Sequence, residues 1–507
     1  MMLLMLWGCQ SDDSSMNQQS EEQDDRDIIV DVKGDLNVAF PSEPPTLDTH
    51  VNTTTVSTLA ARNIFEALVT PDSNYDVQPM LAESYEILED GKTIEFKLRQ
   101  GVKFHNGDEM KAADVVASMN RWIEYSGTGR STFAGAEFVE IDDYTVELRM
   151  VQPTSTALLV LAYSGGEFPG IMPASIVEGN DGTPIDEYIG TGPYEFVEWK
   201  QNTMIQLKRF EDYVSREEAA NGLAGKREVF VENLNIMIVP DSSTRVAGIL
   251  SGEYDVVIDV PIDSAEQVAN HESVILESTP RDVFNLYFNK KEGLFANKVA
   301  REALAVGVNK EDMLRAAFVD PNYYSTTHHM MLASQESQWY SEIGKDQYHF
   351  QDQELSKQLF EEAGYAGEEL TIITSRDYDH MYNAAIVLKE QLNELGVASQ
   401  IEVYDWPTFT EVRNDPGMWD LTIIANTSKV EPTSLVFMRS DFAGWTEDPE
   451  LDRLAEKLRR APSIEEAREV YDELQAWFMD YRPVVKIGDG NLLYAWRDHI
   501  TTIEDVD

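Results

Sequence analysis

Cysteine is all but missing from this chain of 507 residues. There is one, Cys9, so no disulfide can form within the chain and no thiolate cluster can hold a metal. Basic residues are scarce as well. Forty Lys and Arg stand against 91 Asp and Glu, a formal charge of −51 that repels nucleic acid phosphates and anionic lipid surfaces alike. Nucleic acid is therefore excluded as a partner. No segment reaches the roughly 20 apolar residues that cross a bilayer. Catalytic constellations are absent too. His271-Glu272 opens a zinc-protease pattern, but Ile275 stands where the second histidine belongs. Gly91-Lys92-Thr93 lacks the upstream glycine of a phosphate loop, since Glu86 is there, and in Gly190-Thr191-Gly192-Pro193 the proline removes a donor and no lysine follows. With no nucleophile elbow and no dinucleotide fingerprint, we expect neither an enzyme nor a cofactor.

What is present begins with size, which predicts two to four compact units. The acidity runs along the whole chain and suits a salty or alkaline exterior. The opening run ends in Leu6-Trp7-Gly8-Cys9, which resembles a bacterial lipobox in which Cys9 is lipidated. No Lys or Arg precedes it, so the natural start is expected upstream. Residues 10–34, rich in Ser, Gln, Asp and Glu, read as a flexible acidic tether.

Residues 79–114 are the most informative stretch. Alone, they describe a hairpin: Glu89-Asp90-Gly91-Lys92 is a turn, Ile94, Phe96 and Leu98 alternate with polar residues, and a second turn follows at Asn106-Gly107. Leu81-Ala82-Glu83-Ser84, Asp90-Gly91-Lys92-Thr93, Phe96-Lys97-Leu98-Arg99, Phe104-His105-Asn106-Gly107 and Ala113-Asp114-Val115 also resemble, in order, the signature of the family 5 extracellular solute-binding proteins, the peptide, dipeptide and nickel receptors of ABC importers. Pro44-Pro45-Thr46-Leu47-Asp48, a helix over Asn63–Val69, Gly190–Tyr194, Gly252–Val256 and Val299–Leu304 extend the resemblance over about residues 35–490. It implies an α/β, two-lobed periplasmic-binding-protein-like (type II, cluster C) fold with an extra inserted domain. The expected organisation is a lipoprotein signal remnant at 1–9, the tether at 10–34, the first lobe at 35–69 and 189–279, the inserted domain at 70–188, the second lobe at 280–478, and a return to the first lobe at 479–507. The two crossings would form a hinge.

Residues 369–432 allow a local derivation. Leu370–Thr374 is a β-rich run; Ala385, Leu388, Leu392 and Leu395 recur at helical spacing before Gly396; strands follow around Ile401 and Val403 and at Asp420–Ala425. Such a βαβ sheet is parallel and binds ligands outside the carboxyl ends of its strands, here Ser375–Tyr378 and Asn426–Lys429. Arg376 resembles the arginine that grips a peptide's C-terminal carboxylate in dipeptide-binding relatives, and a guanidinium fork suits that partner. The family's amine-binding aspartate is missing: alignment on Glu431-Pro432 puts Ser428 there, beside Lys429, so the acid is supplied by Glu431 or Asp377, or the ligand lacks a free amine. Gly444-Trp445 resembles a segment found near the cleft in some members. Trp445, Trp419 and Tyr378 are expected to cover an organic ligand, with Thr427 beside them. His328-His329 before Met330-Met331 gives an alternative, a nickel or metal-chelate receptor; a ligand-sensing lipoprotein is a further one. The main reading is a monomeric receptor that captures a peptide or similar organic carboxylate and delivers it to an ABC permease and its ATPase, with a lipid at Cys9 as its only membrane contact.

Overall fold

Two long strands, Val274–Phe288 and Val484–Arg497, run antiparallel through the middle of one eleven-stranded sheet. The computed structural model describes residues 34–500 except Ser164 and Ser428, and the backbone only at Pro407; Cys9 and the tether lie outside the described residues. On one side of the central pair the order outward is Leu421–Thr427, Leu370–Ser375 and Ser399–Tyr404. On the other it is Val256–Ile258, Asp35–Phe40, Asn233–Ile238, Met204–Arg209 and Tyr194–Lys200. The fold is two-lobed, and both lobes share the central pair.

The burial of Val274–Phe288 records this passage. Its first half alternates between buried and exposed residues, whereas Val283 to Phe288 are all buried, as in a strand covered on both faces. The change coincides with a register shift between Pro280 and Asp282, so Arg281 sits in a bulge where one lobe gives way to the other. Gly490 pairs with Asp282 there, and a Cβ on it would lie 2.4 Å from Phe318.

The βαβ unit read from sequence is present. Leu370–Ser375 pairs in parallel with both Ser399–Tyr404 and Leu421–Thr427, and the helix Asp379–Glu394 between them stops before Gly396, at φ 79°. The hairpin is present as well: Ala82–Ile87 and Thr93–Leu98 are antiparallel around a turn in which Asp90 accepts from the Lys92 and Thr93 amides. They belong to a separate four-stranded sheet with its own core, which includes Phe96, Trp122 and Phe138. Among the described residues no helix is long and apolar enough to cross a membrane.

The helix expected over Asn63–Val69 is not there. A helix runs instead over Thr55–Ala61, and Asn63 turns back to donate to the carbonyls of Leu59 and Ala60, which ends it. The following backbone packs against Gly192, whose amide donates to the Ile64 carbonyl at 2.9 Å, while buried Glu66 accepts from Thr191 and Tyr213. Tertiary contacts override the helical pattern.

A buried ion pair joins the first lobe to the separate sheet's long helix. Arg121 donates to both oxygens of Asp48, at 2.7 and 3.2 Å, and both side chains are almost fully buried. Asp48 also accepts from the His50 and Ile185 amides. Asp48→Ala is expected to lower stability by about 3–5 kcal/mol in a denaturant titration, because the guanidinium would stay buried and unpaired.

Burial holds His50 down to about 4, with Arg121 adding to the effect and Asp48 opposing it. Burial, then Lys486 and His328, hold His329 down to about 3. Both are lowered from an unfolded value of 6.5, so the unfolded chain binds more protons below that pH. Their contribution is fully present above pH 6.5 and is lost as pH falls toward 4. Between about pH 7 and 5, thermal melts of His329→Gln should show a shallower fall in Tm than wild type; equal slopes would remove His329 as a source.

Candidate ligand-binding site

Strand polarity fixes where a site can lie. Val256–Ile258 and Val274–Phe288 both run antiparallel to Val484–Arg497, so the carboxyl ends of the first lobe's parallel strands point toward the bulge at Arg281. Leu421–Thr427 runs antiparallel to Val274–Phe288, so the second lobe's parallel strands point toward the same bulge from the other side, and Thr427 pairs with Asp282. Both sets of carboxyl ends face one cleft. Ligands bind at such ends because loops and helix starts leave polar groups open there.

Arg281, Asp282 and Asp259 form the cleft floor. Arg281 donates through Nε and Nη2 to one Asp282 oxygen, at 3.0 and 2.7 Å. Burial disfavours its charge, yet Asp282 and then Asp259 raise its pKa well above the ordinary arginine range. Asp259 is exposed at the end of Val256–Ile258, in the left-handed conformation at φ 63°. Above them Tyr378 meets Trp406 edge-on at 4.5 Å, and His380 stacks on Phe318 at 5.7 Å. Burial, then the Asp259 charge, raises the Tyr378 hydroxyl; burial lowers His380.

A second group spans both lobes. Lys429 lies over the Tyr163 ring, 5.2 Å from its centre. Arg62, only half-buried, is held down to about 10, first by burial and also by Arg227, with Tyr163 and Tyr494 opposing. Arg62, Tyr163, Asp259, Arg281 and Tyr494 were not singled out from sequence, since they lie up to 432 positions apart on separate elements.

The predicted residues separate into two sets. Arg376 and Tyr378 are exposed at the cleft end of Leu370–Ser375, and Thr427 is exposed at the end of its strand; Ser428 lies outside the described residues. Arg376 donates to the Tyr382 hydroxyl at 2.9 Å and covers that ring. Asp377 accepts from the Trp406 amide at 2.7 Å. Trp419 and Trp445 stack on each other at 5.7 Å at the opposite end of the second lobe, beyond Leu421, roughly 20 Å along the strand from Thr427. They are packing residues, which corrects the expectation that they cover a ligand. Glu431 is also corrected: it is buried and accepts from the Thr433 amide and hydroxyl and from Ser434, capping its own short turn.

The two histidines of the metal alternative are engaged by the protein. His328 Nε2 bonds to the Ser341 carbonyl at 2.6 Å, and His329 Nε2 lies 3.1 Å from Glu336, with the Lys486 charge close by. Among the described residues no three His, Cys, Asp or Glu side chains are grouped to hold a metal.

Contacts along the rim bridge the cleft. Gln338 donates to Asp76 at 2.8 Å and to the Asn74 carbonyl at 3.2 Å, and Ser155 donates through its amide to the Arg459 carbonyl at 2.8 Å. These contacts tie the second lobe to the segments around Asn74 and Ser155.

Bacterial extracellular solute-binding proteins, family 5 Middle, match residues 76–445. The chain belongs to this family. It is therefore a non-catalytic solute receptor of an ABC importer, acting outside the cytoplasm. A probable peptide ABC transporter periplasmic-binding protein of Sinorhizobium fredii, y4tO, is 28% identical over 482 residues, 90% of this chain and 88% of that protein. Among solved structures, the receptor AgaA of A. tumefaciens in complex with agropinic acid is 25% identical with a TM-score of 0.76, covering 92% of this chain and 93% of its own. The substrate-binding protein CtaP of Listeria monocytogenes is 20% identical with a TM-score of 0.80, over 92% and 94%.

The far-end placement of Trp419 is testable. Trp419→Ala should cost about 3–5 kcal/mol of stability and leave ligand affinity within a factor of about two. A ten-fold or greater loss of affinity would return the indole to the site.

Proposed function

We propose that this receptor captures a peptide or similar organic carboxylate between its lobes by closing about the central strands, and presents the closed form to its permease. Arg376, Tyr378 and Thr427 are assigned to the second-lobe wall, and Arg62 and Tyr494 to the first; Ser428, outside the described residues, is assigned to the site from the sequence alone. The observation that carries this reading is the meeting of both sets of strand ends at one place, with Arg376 exposed there on a protein of charge −51. A carboxylate is the ligand group that arginine and lysine match at short range. Closure follows because contacts to both walls exist only in the closed state, and a ligand shifts the equilibrium by that difference. The peptide named for the Sinorhizobium relative and the organic acid in the AgaA complex both fit the class. In this reading Cys9 carries the lipid anchor and the receptor acts as a monomer.

The test is native mass spectrometry of protein purified without refolding, followed by small-angle scattering with and without the released ligand. The expected result is a bound organic carboxylate and a smaller radius of gyration in its presence. Arg376→Ala should weaken that ligand about ten-fold or more with Tm unchanged, whereas equal affinity by calorimetry would remove Arg376 from the wall. A released ligand with no acid group, or no change in radius, would count against the reading.

A further inference from the structure

The four-stranded sheet and its core form a unit that touches both lobes, and it holds them in different ways. Its grip on the first lobe is buried. Arg121 and Asp48 are almost fully covered and 2.7 Å apart, and His50 bonds to the Gly170 carbonyl at 2.8 Å. Parting these groups would strand charges away from water, so this contact stays made.

The contacts with the second lobe are of another kind, and they fall in two patches. In one, Ser155 donates its amide to the Arg459 carbonyl and its hydroxyl to the Leu458 carbonyl, both at 2.8 Å. Those carbonyls end the helix Pro449–Arg459, where a helix runs out of its own donors. In the other, Gln338 donates to Asp76 at 2.8 Å and to the Asn74 carbonyl at 3.2 Å, and the Ser337 hydroxyl donates to the same carbonyl at 3.3 Å. Asp72 shapes that turn by accepting from the Asn74 and Asp76 amides, at 2.9 and 3.0 Å. Apolar side chains are exchanged as well: Leu159 packs on the core of the second lobe, and Val430 on the core of the four-stranded unit. Asn74 and Asp76 are exposed, and Ser155, Leu159 and Val430 are half-buried. Contacts of this kind separate at modest cost, since water replaces the hydrogen bonds of groups it already reaches. The second patch also leads to the cleft, because Trp339, next to Gln338, donates to the Val430 carbonyl at 2.8 Å, three residues past Thr427.

We propose that the four-stranded unit is a clasp that favours the closed receptor without a ligand: carried by the first lobe, it grips the second through Ser155 and Gln338, and the two patches form and part together as the lobes close and open. This rests on the receptor reading above and deepens it. Every ligand inherits the effect, because apparent affinity scales with the fraction of protein already in the binding-competent form. Gln338 is thus a positioning residue that acts on binding through closure.

The test uses the full chain, dialysed free of bound small molecules and checked by native mass spectrometry. Hydrogen exchange in the peptide that holds the Ser155 amide reports on the first patch while Gln338→Glu disturbs the second. The glutamate keeps an oxygen for Arg468, which donates to Gln338, but it removes the donor and sets a like charge against Asp76. Exchange at Ser155 should rise about three-fold or more, the equivalent of one lost hydrogen bond, and the radius of gyration from small-angle scattering should increase, with Tm unchanged. Adding Asp76→Asn, which gives the glutamate a donor to face, should return both readings toward wild type; a Gln338 that only supported its own loop would not respond to a change across the interface. If Gln338→Glu lowers Tm, the exposed substitution Asp76→Lys makes the same disturbance from the other side. Ser155 exchange unmoved by either substitution shows that the patches do not part together. Ser155 exchange as slow as that of the buried end of Val274–Phe288 shows that they part only on unfolding. Either result overturns the clasp. The receptor reading stands or falls on the released-ligand experiment above, which these ligand-free measurements do not touch.

Discussion

The ladder between Val274–Phe288 and Val484–Arg497 is the constraint on which the rest of the molecule depends. Among the described residues it is the one stretch of sheet that belongs to both lobes. Its antiparallel sense sets the direction of every strand that pairs with it, and so makes the carboxyl ends of two parallel sheets converge on one place. The cleft is a consequence of pairing rules, and the side chains in it are those that happen to follow each strand. The ladder is also where motion can be absorbed: Arg281 is bulged, a second register shift follows at Phe284 and Asn285, and glycines 488 and 490 oppose this region. Bulges break the regular hydrogen bonding that otherwise makes a sheet stiff.

A second structure connects this ladder to the segment at Lys429. Lys486 and Asp489 lie on the returning strand, both buried and 2.7 Å apart. Burial lowers the lysine and raises the aspartic acid, and their mutual attraction opposes both shifts. A buried pair of this kind contributes little net stability, and its effect is to fix what it touches. Here Lys486 donates to the His329 and Met331 carbonyls, and Asp489 accepts from the Ala333 amide. The same segment continues to Gln335, which donates to the Lys429 carbonyl, and to Trp339, which donates to the Val430 carbonyl. The returning strand, this loop and the backbone at Lys429 are thus joined by hydrogen bonds, and His328 and His329 are part of this brace.

Much of the fold was legible in the sequence because it is encoded locally. The alternation of Ile94, Phe96 and Leu98 around Asp90-Gly91 specifies a hairpin, and the spacing of Ala385, Leu388 and Leu392 between two β-rich runs specifies a βαβ unit, without reference to any distant residue. The carboxyl-end rule then placed Arg376, Tyr378 and Thr427 at the cleft end of their strands. The errors came where a residue's meaning depends on partners elsewhere. Asn63 to Val69 reads as helix until Gly192 and Thr191 claim its carbonyl and its glutamate. Trp419 and Trp445 flank the same sheet as Thr427, yet one precedes its strand, and strand length alone carries it away from the cleft. Glu431 was given a ligand to hold because its own cap was not considered. Asp259, Arg281 and Tyr494 carried no local signal: they are brought near one another only through the sheet order.

The charge of the whole molecule bears on how such a cleft works. A surface of −51 repels any anion at distances beyond contact, and physiological salt confines that repulsion to about 8 Å. On the proposed reading, an acid group would be recognised only after it had entered between the lobes, where short-range contacts act with little interference from the distant surface charge. Long-range steering contributes nothing favourable to the encounter. Affinity and closure then share one source, the short-range contacts made when both walls touch the same ligand. A receptor built this way becomes less repellent to anions as external salt rises, while its buried contacts are weakened far less by the same ions. An acidic exterior and a site that takes an acid group are compatible because screening acts on the one much more than on the other.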